Sequence, residues 1–166
     1  MAAKFTDNSG VIKAIIEEVG SAWLYEEGNE IASHARDNVA MDGETGNELR
    51  KSYRADVRQK EARVGTPLES GWWEEWGTGE HSVRNPHRTG WWVYIEGGSG
   101  YDKETNHYAT RQEAEKAAAF LRRVKKLKAV VTNGRPPNYT LEKAFRARAP
   151  KMEKSLQEKL NARLGK

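Results

Sequence analysis

Apolar residues recur at intervals of three and four from Val11 onward: Val11, Ile12, Ile15, Ile16, Val19, Trp23 and Leu24 share one stripe. That spacing predicts an amphipathic helix whose stripe faces a core. Asn8 or Ser9 can cap its start, and Glu17 and Glu18 fall on the wet side. Ile31, Ala35 and Val39 continue the stripe, while Gly20 and Gly28 weaken its middle. The pattern fits one long kinked helix or two. Met41–Asn47 then has the composition of a turn. Beyond it the period changes to two: Tyr53, Ala55 and Val57 alternate with Arg54, Asp56 and Arg58. This predicts strands over Leu49–Arg58 and Glu61–Thr66, joined by a tight turn at Gln59 and Lys60, with one face solvated.

Leu68–Trp76 fits a short helical turn, ended by Gly77-Thr78-Gly79. His81–Gly90 reads as a loop containing Pro86, and Gly97–Gly100 as a flexible one. Between them Trp91–Ile95, aromatic and β-branched, is the clearest strand in the chain. Thr110 followed by Glu113 forms a capping box, after which Ala114, Ala117, Ala118, Leu121 and Val124 make the inward side of a helix. Ala129–Thr132 predicts a short strand closed by Asn133-Gly134, and Pro136-Pro137 stops regular structure. A final helix from Thr140 carries Leu141, Phe145, Met152, Leu156 and Leu160 on one side, with Pro150 expected to kink or restart it. The order predicts an α+β fold: a small, mostly antiparallel sheet packed by a long N-terminal helix, a middle helix and a C-terminal helix. One domain is expected over residues 1–166, with a strand–helix–strand insertion at about 81–133.

Composition narrows the picture. Of the 166 residues, 37% are hydrophobic and 31% charged, which leaves a small core beneath long solvated helices. Six Trp and six Tyr supply enough large groups to order the chain. With no cysteine, disulfides and thiolate metal sites are excluded and a reducing compartment is compatible. No stretch approaches the ~20 apolar residues of a membrane span, and the first residues lack the apolar run of a secretion signal, so assembly in a cytoplasm is expected. Net charge is only +4, but Arg122, Arg123, Lys125, Lys126 and Lys128 lie close together. The cluster fits either solvated helix faces or a contact with DNA or an acidic neighbouring subunit.

Candidate chemistry is sparse. His34, His81, His87 and His107 show no zinc spacing. Ser99 sits between glycines without the strand-to-helix elbow of a nucleophile, and no Gly-Lys-Thr/Ser follows to make a phosphate loop. Glu74 and Glu75 are adjacent, which on a helix sends them to different sides; one of them can instead bond backbone amides near Gly77. Trp91 and Trp92 must face opposite sides of a strand, so either helices cover both sheet faces or one tryptophan anchors an interface. No catalytic, metal or cofactor-binding residue is assigned, and no cofactor is expected.

Thr45-Gly46-Asn47-Glu48-Leu49-Arg50-Lys51-Ser52 resembles the Thr-Gly-x-Leu-Arg-x-Ser stretch of a family of phage tail-completion and head–tail joining proteins. Here Glu48 is an added residue, and Asp42-Gly43-Glu44 replaces the family's usual proline. Trp76-Gly77-Thr78-Gly79 resembles the family's aromatic-Gly-Thr-Gly stretch, and Gly134-Arg135-Pro136-Pro137 with Leu141–Phe145 its proline-led C-terminal helix. The resemblance runs from Met41 to Gly79 and again from Gly134 onward. It implies a non-enzymatic virion protein that forms a ring of its own copies, six favoured, at the neck or tail end. Connector and tail-tube proteins would be its neighbours, genomic DNA would pass through it, and no membrane is involved. The motif marks Thr45, Gly46, Leu49, Arg50, Ser52, Trp76, Gly77, Thr78 and Gly79 as structural. Trp91, Trp92 and Phe145 are candidate interface residues, and Arg122, Arg123, Lys125, Lys126 and Lys128 candidate contacts for DNA or an acidic partner. A small basic DNA-binding or DNA-processing protein is the alternative class.

Overall fold

The computed structural model describes residues 7–84, 88–95 and 106–165. The loop expectations around Pro86 and Gly97–Gly100, with His87 and Ser99, lie outside the described residues. The fold is α+β, as the patterning predicts, with five helices and small antiparallel sheets among the described residues. The elements run α1 (Ser9–Asn38), α2 (Gly43–Ser52), β1 (Arg54–Arg58), β2 (Glu61–Gly65), α3 (Glu69–Trp76), β3 (Thr78–Gly79), β4 (Trp92–Ile95), α4 (Arg111–Val124), β5 (Ala129–Thr132), β6 (Gly134–Arg135) and α5 (Thr140–Leu164). In place of the single expected sheet, three two-stranded ladders form among the described residues: β1–β2, β3–β6 and β4–β5. None of the described helices is long and apolar enough to cross a membrane.

The chain divides into two compact units, residues 1–71 with 139–166, and residues 72–138. The insertion expected at about 81–133 falls inside the second.

In the first unit α1 is a single 30-residue helix. Gly20 and Gly28 do not divide it; Gly28 faces the β1–β2 ladder, where a Cβ would come within 2.9 Å of the Ala55 methyl. α1 and α5 run antiparallel, stitched by Asn38 to the Thr140 carbonyl, Arg148 to Glu27, Lys159 to Glu26 and Arg163 to Glu18. α5 continues helical through Pro150, so the restart expected there does not occur. The core gathers Ile31, Ala35, Val39, Leu49, Tyr53 and Ala144. Glu27 is 2% exposed and lies between the long helices. Its carboxylate takes Arg148 Nε at 2.5 Å and Nη2 at 2.9 Å, and Ser155 Oγ at 2.9 Å. The bidentate Arg148 bond holds the carboxyl below its usual range, against the opposing effect of burial.

In the second unit α4 covers the inner face of β4–β5, burying Val93, Ala118, Leu121 and Ala129 together. The capping box forms as predicted: Thr110 Oγ1 accepts from Glu113 N, and Glu113 Oε2 accepts from Thr110 N. Val124, expected inside, is 55% exposed, because the helix ends there and the chain turns away toward β5.

Candidate interaction surfaces

The Thr45–Ser52 stretch is a helix, not the turn and first strand expected from its composition. Asp42 precedes it in an extended conformation, Glu44 lies in its first turn and Arg50 and Lys51 in its last, which suits the helix dipole at both ends. Leu49 and Gly46, three residues apart, form its buried side. The composition of Met41–Asn47 predicts a turn, yet Gly46 is helical. Its small size is what matters: a Cβ there would lie 1.9 Å from the Met41 carbonyl oxygen. Arg50 then ties α2 to the end of α1, donating from Nη2 to the carbonyls of Val39 and Met41, both at 3.0 Å, and from Nη1 to Asn47 Oδ1. Ser52 Oγ donates to the Leu49 carbonyl and meets Thr66 Oγ1 at 2.6 Å, joining the end of α2 to the exit of β2. Thr45 is exposed. The motif is thus a junction among α1, α2 and β2.

The second motif closes the entrance of the second unit. Gly77 N donates to the Trp73 carbonyl and ends α3. Thr78 pairs with Arg135 and Gly79 with Gly134, and Thr78 Oγ1 also accepts from Arg135 N. Gly79 has φ +59°, and a Cβ there would sit 2.2 Å from the Asn133 carbonyl oxygen. Glu74 is fully buried behind this clasp. Its Oε2 lies 3.2 Å from Arg135 Nη1, and its Oε1 accepts from Asn138 Nδ2. Glu74 thereby ties α3 to Arg135 and Asn138 within the unit. Trp76 meets Trp72 edge-on at 6.1 Å, and the Arg84 guanidinium lies 4.3 Å above its ring.

Trp91 and Trp92 point to opposite sides, as a strand requires, and both are half-buried. An arginine covers each: Arg111 lies 5.6 Å from the Trp91 ring and Arg88 4.6 Å from that of Trp92. Each ring is thus partly shielded by a guanidinium of its own unit. The β4 edge is also covered, by Asn106, whose side chain accepts from Val93 N and donates to Val93 O in place of a strand. A lone asparagine gives no sequence signal for that role.

Phe145 is 52% exposed at the mouth of a groove of about 270 Å³ between α1, α5 and β2, lined also by Leu24, Ile31, Val64 and Met152. Residues Arg122, Arg123, Lys125, Lys126 and Lys128 are all exposed at the end of α4 and in the turn after it. Arg122 has local work: Nε donates to the Ala129 carbonyl at 2.7 Å, and Nη1 lies 3.7 Å from Glu115.

Comparison with protein families, characterised proteins and solved structures returns no match. The surfaces therefore carry the functional reading.

Two apolar surfaces escaped the sequence reading. Val11, Ile12 and Ile16, expected in the core, are 62%, 46% and 50% exposed. The periodicity is helical as read, but the polar contacts of α5 stop at the Arg163–Glu18 pair, so the first turns of α1 project past the element that covers the rest of the stripe. In the second unit Phe120 and Val124, one turn apart on α4, are bare, with Leu127 just beyond. Only helical phase, with the inward side fixed at Ala114, Ala118 and Leu121, could have revealed that second flank.

Proposed function

We propose that the chain is a structural virion protein of a tailed phage, assembling in the host cytoplasm into the neck or tail-completion ring that joins head and tail. The observation that carries this reading is the bare aliphatic face at the start of α1. Leaving a large aliphatic side chain in water forgoes about 1.5–3 kcal/mol of burial, and three such residues within two turns mark a surface meant to be covered by protein. The ordered motifs resembling the tail-completion family supply the kind of assembly. The architecture is consistent with it, since Gly46, Arg50 and Ser52 join elements of one unit and Gly77–Gly79 close the other. Mass spectrometry of purified particles tests the proposal: the chain is expected in several copies per particle, and particles that lack it rule the proposal out.

The exposed cluster Arg122–Lys128 favours a second reading, in which the protein grips DNA by its phosphates. Duplex affinity would then fall steeply with added salt. No detectable binding at low salt removes this reading.

A further inference from the structure

The cations of α4 and the turn after it are not all engaged alike. Arg122 is held by the Ala129 carbonyl and Glu115. Lys116, Arg123, Lys125 and Lys126 are exposed and meet no acidic side chain among the described residues. Both acids of the helix have other partners: Glu113 closes the capping box, and Glu115 lies beside Arg122. Lys116, Phe120 and Arg123 stand at i, i+4 and i+7, so they share one side of α4, with Val124 beside them and Leu127 just past the end. Phe120, Val124 and Leu127 are bare. Lys126 adds an independent sign. Its backbone is left-handed, with φ +54°, at the exit of α4, where Leu127 N turns back to the Leu121 carbonyl at 3.3 Å. Glycine or asparagine usually takes that conformation at a helix end, because a larger side chain strains it. A lysine there holds a charge where a less strained residue would hold none.

We infer that this surface binds single-stranded nucleic acid: Arg123, Lys125 and Lys126 meet its phosphates, and Phe120 stacks on an unpaired base with Val124 and Leu127 packed alongside. The inference deepens the phosphate-gripping reading of the same cluster and rests on it; what it adds is the form of the nucleic acid. A duplex keeps its base faces stacked inside and offers apolar side chains little beyond thymine methyls, so most of the flank would stay in water. A single strand presents base faces that an aromatic side chain can cover, next to the phosphates that cations neutralise. The order cation, aromatic, cation along Lys116, Phe120 and Arg123 suits a chain in which every unit carries a charge and a π-face together. An acidic peptide supplies the charge without the face.

The test is fluorescence anisotropy of the purified full chain with a labelled oligo-dT of about 20 nucleotides and with a duplex of the same length, at equal salt. The strand is expected to bind about tenfold tighter than the duplex or more. Its log affinity should fall against log salt with a slope of about −2, as three phosphate contacts on a single strand require. Phe120→Ala is expected to weaken strand binding about five- to tenfold and to leave duplex binding unchanged. R123E/K125E should weaken both. Lys126→Gly should weaken strand binding while raising the urea midpoint, two opposite movements that a merely structural lysine would not give. Equal or tighter binding of the duplex, or an unchanged strand affinity in Phe120→Ala, overturns the inference and leaves the phosphate reading standing. Absence of binding to either nucleic acid at low salt removes both. A labelled oligo-glutamate peptide that binds more tightly than oligo-dT assigns the surface to an acidic protein and overturns the inference as well.

Discussion

Single residues decide how this small core holds. Gly46 and Gly20 are both helical glycines, yet they predict opposite outcomes. Gly46→Ala drives a methyl into the Met41 carbonyl and is expected to cost about 2–3 kcal/mol, as overpacking against backbone does. Gly20 has no neighbour within 4 Å of an added Cβ, so Gly20→Ala should stabilise by about 0.5–1 kcal/mol through backbone entropy alone. Urea denaturation of the two variants checks the contrast. Glu27 is the other decisive residue. Its carboxyl is held below its ordinary value by Arg148, so the stability it contributes is present in full above the unfolded carboxylate pKa of about 4.3. That contribution is lost as pH falls through the lower folded value. Glu27→Ala should cost about 2–3 kcal/mol near neutral pH, somewhat below the range for fully buried pairs because Arg148 keeps about a fifth of its side chain in water. The variant should also show a shallower loss of stability on acidification. The exposed Glu18–Arg163 pair is expected to contribute about 0–1 kcal/mol.

At the scale of elements, what the sequence disclosed depended on whether the deciding interaction was local. α4 and β5 were legible because a capping box and a run of β-branched residues specify them within a few positions. α2 was not, because two glycines and a polar run look like a turn until α1 is in place to reward the small side chain at Gly46. The stripe of α1 was legible as a helix face, but its burial was not, since that depends on where α5, more than a hundred residues later, ends. Two substitutions on this one helix separate the roles. Ile31→Ala, in the core, should cost about 2–4 kcal/mol in denaturation. Ile12→Asp, on the projecting turns, should change stability by less than about 0.5 kcal/mol while lowering self-association. If Ile12→Asp unfolds the protein, the start of α1 is core and the assembly reading loses its main support.

At the scale of the whole molecule, the candidate sites were half legible. The motif residues were found by resemblance, and their structural meaning, a three-element junction and a clasp, came only from the fold. The bare flank on α4 was legible only through helical phase, which sets Phe120 off the side of Ala114, Ala118 and Leu121. Two units, each with an uncovered apolar surface, make a chain whose remaining burial is expected between molecules. Cryo-electron microscopy of the assembled particle measures that claim most directly. The expected image is a closed ring of copies of this chain where head meets tail or at the tail end, with the start of α1 in each copy covered by its neighbour. A particle whose neck and tail densities are fully accounted for by other chains, or copies of this chain whose α1 start faces open solvent, would contradict the account.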